Sequence, residues 1–234
     1  MGRKIFWDFS RAVLYLYFLF TGGIRRVGSR NIPRTGGVLF CPNHVSDADP
    51  PAAGVMTPRH PRFIAKEELF KKRILGTILR LWGVIPIKRD SADRTALRRA
   101  EEYLKAGDAV VIFPEGGGNE EGVLQPLHSG ALLVALRARV PVIPVALFNT
   151  NKVWPYGEKA PHRAGVTVTV QFGEPIDLSD LYGQKGAVEE ATRRLTVRLA
   201  EMLNQPTPVG KPKNRTKEEE EPSPATAKEA VAGA

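Results

Sequence analysis

The chain has 234 residues, enough to bury one sizeable core, and 42% of them are hydrophobic, which excludes a disordered or fibrous protein. Its single cysteine, Cys41, excludes an intrachain disulfide and a metal held by a cysteine cluster. The formal net charge is +9, and none of the excess lies in the tail from Gln205 on, which holds five basic and five acidic residues. It lies in residues 1–204, with seven basic residues and one acid in 1–34 and thirteen basic and six acidic in 59–105. Such a surface attracts polyanions: nucleic acid, anionic lipid headgroups or phosphorylated substrates. No nucleic-acid recognition motif accompanies the charge.

The N-terminus helps to choose among these. Residues 1–24 place Arg3 and Lys4 before an aromatic-rich apolar stretch whose uninterrupted run, 12–20, has nine residues. A bilayer-spanning helix needs about 20. Asp8 and Arg11 flank the run and no A-x-A site follows, which argues against a signal peptide. The expected element is a helix lying in the membrane interface, with Trp7, Tyr15 and Tyr17 at headgroup level and Arg25, Arg26 and Arg30 facing anionic lipid. The alternative is a helix buried against the domain.

Next, VLFCP at 38–42 reads as a buried strand after Gly36-Gly37. Pro50-Pro51 marks a helix start with Asp49 as the cap. Residues 62–65 read as a strand, 67–82 as an amphipathic helix stopped by Gly83, and 84–87 as a strand. A helix is expected over 91–106 and a strand over 109–114, AVVIFP. A helix over 129–139 precedes VPVIPVALF at 140–148, whose two prolines predict an edge or irregular strand. VTVTVQF at 166–172 alternates as a strand, and 187–203 closes as a helix. The alternation predicts an α/β fold, a mixed and mostly parallel sheet flanked by helices, with the N-terminal membrane-associated helical segment set apart. The expected division is 1–27 as the membrane segment, 28–204 as the domain, and 205–234 as a Pro/Lys/Glu/Ala tail that buries no core.

Three stretches follow strands and carry site chemistry: NHVSDAD at 43–49, GVIPIKR at 83–89 and FPEGGGN at 113–119. His44 titrates in the range a base needs, and a carboxylate on its other nitrogen would fix the tautomer. Asp47 and Asp49 both lie near it. Asp49 precedes a proline and is biased toward a capping position from which the loop can fold His44 back over it; the alternative is a plain helix cap. Cys41 reads as a buried strand residue. His60, His128 and His162 are scattered, so no metal is expected.

The order His-x4-Asp, G-V-I-P-I-K-R, F-P-E-G, V-P-V-I-P-V over residues 25–175 resembles the glycerolipid acyltransferase family, and in particular its bacterial 1-acylglycerol-3-phosphate acyltransferases. The resemblance implies an α/β acyltransferase fold with a membrane-associated N-terminus, acting on the cytoplasmic face of the cell membrane as a peripheral or monotopic protein. It implies transfer of a fatty acyl group from acyl-CoA or acyl carrier protein to the sn-2 hydroxyl of 1-acylglycerol 3-phosphate, giving phosphatidic acid, with no cofactor beyond the donor. Its catalytic pair falls on His44 and Asp49, as general base and partner without a covalent intermediate. Its acceptor contacts fall on Glu115, Gly116, Gly117 and Gly118 and on the cations Lys88 and Arg89. Arginine is the better phosphate ligand through its paired N–H donors. Taken alone, Lys88 and Arg89 also read as solvated charges, and Glu115 as a buried loop anchor.

One block departs from the family. The common form is F-P-E-G-T-R-S with a basic residue before a later Gly-Ala. Here Gly118 stands where arginine is usual, and His128-Ser129 where lysine or arginine is usual. The departure leaves the His/Asp pair intact and opens the acceptor to another lysolipid: a lysophospholipid, an amino-acid lipid or a glycolipid. A non-catalytic protein bound to anionic membrane is the alternative from another class.

Overall fold

The structure, a computed structural model, describes residues 2–88, 94–158 and 160–212. Helix α1 (Gly2–Thr21) leads into β1 (Ile24–Val27), then β2 (Val38–Pro42), α2 (Asp49–Met56), β3 (Arg62–Lys66), α3 (Arg73–Trp82) and β4 (Ile85–Ile87). The second half holds α4 (Arg94–Lys105), β5 (Ala109–Val111), α5 (Gly130–Ala138), β6 (Val142–Phe148), α6 (Thr150–Val153), β7 (Val168–Phe172) and α7 (Ala187–Leu203). The strands form one seven-stranded sheet in the order β1-β7-β6-β2-β5-β3-β4. Strands β2 to β6 run parallel, while β7 pairs antiparallel with β6 and carries β1 parallel to itself.

Both faces of the sheet are covered, which is why its central strands read as unbroken apolar runs rather than alternating ones. Val38, Phe40 and Val111 face a core shared with α2 and with Trp7 and Phe18 of α1. Leu39, Cys41 and Val110 face the other core, built with α4, α5 and α7.

Several expectations are corrected. The strand with two prolines is interior, not an edge: β6 lies between β7 and β2. Pro141 precedes it, and the carbonyl of Pro144 accepts from Gly173, one residue past β7. The missing donor of Pro144 points to the same side, at the terminal pair of that ladder, so the bonds between β6 and β2 are untouched. The strand at 109–114 stops at Val111, freeing Phe113 and Glu115 for a loop. Residues 67–82 split into a 3-10 turn (Glu67–Lys71) and α3. Strand β1 and the short α6 were not anticipated; four-residue elements carry too little periodicity to read. Residues 24–27, at the end of the segment set apart as 1–27, are in register with β7 in the common sheet.

Helix α1 is both packed and exposed. Trp7 is 5% exposed, its ring against Phe63 and Trp82, so it is a core residue and not a headgroup-level one. The opposite side shows Ile5, Phe9, Leu16 and Phe20 to solvent, a stripe at helical spacing. Among the described residues no helix is long and apolar enough to cross a membrane. Residues 213–234 of the expected tail lie outside the described residues, but its first residue is anchored: Gln205 accepts from Leu124 N–H at 2.8 Å and donates to Gly122 O at 3.2 Å.

Candidate active site

Strands β2 and β5 are neighbours, and their following helices lie on opposite faces, α2 on one and α5 on the other. Loops leaving such a pair diverge and open a crevice at the strand C-termini. His44 and Glu115 sit in those two loops.

The loop after β2 is tied before His44. Buried Asn43 accepts from Leu147 N–H at 2.8 Å and donates to Leu147 O at 3.4 Å, prolonging the contact with β6 past the proline that ends β2. The next residue is clamped by the second loop. His44 N–H donates to Glu115 Oε1 at 2.6 Å, and His44 O accepts from both the backbone and side-chain N–H of Asn119 at 3.1 Å. Both main-chain polar groups of His44 are therefore fixed from across the crevice.

The ring is held from its own loop. His44 Nδ1 lies 3.0 Å from Asp49 Oδ2, and the same oxygen accepts N–H bonds from Val45 at 2.7 Å and Ser46 at 2.8 Å. Asp49 is fully buried in the first turn of α2, where the helix end favours its charge. It is the first helical residue rather than the cap, and its carboxylate reaches back to the loop instead of capping the helix. With Nδ1–H donated to the carboxylate, Nε2 carries the lone pair and is the basic nitrogen. The face of the ring packs on Phe113, centroids 4.3 Å apart, and Tyr156 meets it edge-on at 6.1 Å.

Glu115 anchors more than one strand of the loop: Oε2 accepts from Asn119 Nδ2 and from Gln125 N–H, both at 3.0 Å. Burial pushes its carboxyl up to about 7, while the N–H bonds from Gln125 and His44 pull the other way. Burial also raises Asp47, whose carboxylate accepts Gly157 N–H at 3.2 Å. That bond, the bridge between Ser46 and Pro155, and Ser46 Oγ donating to Trp154 O fasten residues 154–157 over the dyad loop.

The glycines have steric reasons. Gly116 takes φ 78°, and a Cβ there would stand 2.8 Å from the His128 ring. A Cβ on Gly118 would stand 2.2 Å from the Tyr156 ring, inside van der Waals contact. Of the candidates, His44, Asp49, Glu115 and the 116–118 run converge. Lys88 follows β4, the outermost strand on that side, on the same edge of the sheet but beyond β5 and β3. Arg89 lies outside the described residues. Sequence reasoning missed Asn119, Tyr156 and the part played by Asp47. Asn119, four residues past Glu115, was in plain view, whereas Tyr156 sits in a long connection with no local signal.

An acyltransferase family model matches residues 23–148, which take in β1 to β6, His44, Asp49 and Glu115. The chain belongs to the acyltransferase family. This acyltransferase is 26% identical over 201 residues to the 1-acyl-sn-glycerol-3-phosphate acyltransferase of Bacillus subtilis, covering 85% of the chain and 97% of that protein. It is 30% identical to the protein of the same description from Streptococcus pneumoniae, over 77% of the chain and 66% of that protein. A chloroplastic relative from Brassica napus, named 1-acyl-sn-glycerol-3-phosphate acyltransferase BAT2, is 33% identical over 61% of the chain, which spans only 40% of its length. The fold is shared with the crystal structure of the 1-acyl-sn-glycerophosphate (LPA) acyltransferase PlsC from Thermotoga maritima, with a TM-score of 0.72 at 24% identity over 86% of this chain and 80% of that one.

Proposed function

We propose that this acyltransferase moves a fatty acyl group from an acyl thioester, acyl-CoA or acyl carrier protein, to the sn-2 hydroxyl of 1-acylglycerol 3-phosphate. The observation that carries the reading is the buried Asp49 carboxylate held 3.0 Å from His44 Nδ1. The acceptor hydroxyl attacks the thioester carbonyl carbon while its proton passes to Nε2 of His44. Asp49 stabilises the imidazolium that forms, the C–S bond breaks, and the thiolate leaves with the proton returned from His44. No serine or cysteine adduct is needed, and Cys41 is buried with its thiol pushed well up by desolvation. The amides of Val45 and Ser46 are committed to Asp49, so the glycine run, where the Gly117 amide has no partner among the described residues, is the candidate source of oxyanion donors.

The lipid substrates reach the site from a membrane surface. The exposed stripe of α1, with Ile74 and Leu81 of α3 also showing, supports peripheral seating on a membrane. The names of the relatives support the phosphate-bearing acceptor. One observation favours a second reading, the same chemistry on a different lysolipid. Tyr156 occupies the space beside Gly118, so a cation cannot stand where the common motif puts one.

The test is purified protein with labelled acyl-CoA or acyl carrier protein and a panel of lysolipids. Transfer to 1-acylglycerol 3-phosphate with the highest kcat/KM is expected; preference for an uncharged acceptor would replace the first reading with the second.

A further inference from the structure

At the end of the sheet away from the dyad lies an open cavity of about 470 Å³, lined by Arg26, Arg30, Arg34 and Arg59 with Ser29 and the rigid walls Pro33 and Pro58. Its position follows from the chain: Pro33 and Arg34 precede β2 while His44 follows it, and the five residues of β2 span about 17 Å. Four guanidinium groups line this cavity and no carboxylate does. Two of them are fixed by backbone. Arg59 donates to Gly107 O at 2.6 Å and Pro33 O at 3.4 Å, and Arg26 donates to Met56 O at 3.0 Å. The acid that acts on Arg59, Asp108, is already paired with Arg62 at 3.2 Å. Arg30 and Arg34 are exposed and make no hydrogen bond or ion pair among the described residues.

We propose that this cavity is a phosphate-binding site separate from the catalytic crevice, taking a phosphate-bearing anion such as a lipid headgroup. Like charges gathered at one concave place repel one another, and a bound dianion relieves that repulsion. Guanidinium forks suit tetrahedral oxyanions through paired N–H donors. Arg26 and Arg59 are preorganised, so only Arg30 and Arg34 need order on binding. The site also lies beside α1: Arg26 acts electrostatically on Arg11, which donates to Val55 O at 2.9 Å next to the carbonyl that holds Arg26. A cationic band thus leads from the helix with the exposed apolar stripe into the cavity.

The test uses the full chain with Arg30→Glu/Arg34→Glu, which removes no internal bond, against a matched reversal on α4, Arg94→Glu/Arg99→Glu. Flotation with phosphatidylcholine vesicles containing phosphatidic acid should weaken about tenfold or more in the first variant and much less in the second. Acyl transfer in detergent should be unchanged in the first. A parallel titration with inorganic phosphate, read by thermal shift, separates the sources: a shift in the wild type but not in the first variant assigns the site to phosphate itself, and a vesicle effect without it assigns the site to a membrane headgroup. If both variants lose vesicle binding equally, or the first behaves as wild type in both arms, the site does not exist.

Discussion

At the scale of single residues, the site is a set of carboxylates with separate tasks. Asp49 fixes the tautomer of His44 and closes the loop on itself through two backbone N–H groups. Asp49→Ala strands those buried donors as well as the imidazole, and is expected to lower stability by about 2–4 kcal/mol in denaturant unfolding. Asp49→Asn keeps most of the shape but loses the charge and permits the wrong tautomer; kcat should fall by about two to four orders of magnitude in the acyl-transfer assay. Glu115 holds His44's backbone, accepting its N–H at 2.6 Å. Its folded carboxyl holds a proton up to about pH 7, whereas an unfolded glutamate releases it near 4.5. Between those values the native state binds more protons, so this group's contribution to stability falls as pH rises from about 4.5 to 7. Unfolding free energies measured across that window should show the slope, and Glu115→Gln should flatten it. Of these roles, the pairing of His44 with Asp49 was legible because the His-x4-Asp block of the family resemblance and the proline after Asp49 both pointed to it. The clamp from Glu115 and Asn119 was not, since it joins residues about seventy positions apart.

At the scale of elements, two loops frame the site and one helix joins the core to an exposed apolar stripe. The glycine run accommodates the Tyr156 ring, which stands between Gly118 and His44. Gly118→Ala should cost about 1–3 kcal/mol in denaturant unfolding through overpacking. Adding Tyr156→Ala should recover much of that loss, a coupling read from the double-mutant cycle. The sequence revealed the missing arginine but not what replaced it, because Tyr156 arrives from a connection without periodicity. Helix α1 was legible as amphipathic and short of a span, yet aromatic content alone could not tell its two faces apart. Trp7 and Phe18 are buried, so deleting the helix would open the core along with any membrane contact. Substitution of the exposed stripe is the cleaner probe: Phe9→Ser/Phe20→Ser should weaken liposome flotation while leaving the unfolding midpoint nearly unchanged.

At the scale of the whole molecule, a mixed sheet with helices on both faces puts the His44/Asp49 pair at one end and the cluster of arginines at the other. The alternation of strands and helices foretold this architecture, since buried parallel strands announce themselves as short apolar runs. The strand order did not follow from the runs: β5 is inserted between β2 and β3, and β7 turns antiparallel, through contacts distant in sequence. The prolines at 141 and 144 misled for a related reason, because whether a missing N–H matters depends on which neighbour it faces and where that strand ends. The central claim, that His44 acts as the base in acyl transfer from a thioester to a lysolipid hydroxyl, has one direct measurement. Purified wild type and His44→Ala are compared for transfer of labelled acyl groups to 1-acylglycerol 3-phosphate, with folding and vesicle binding checked in parallel. Loss of transfer by about three orders of magnitude or more in a folded, vesicle-binding variant is expected; undiminished transfer by His44→Ala would contradict the mechanism.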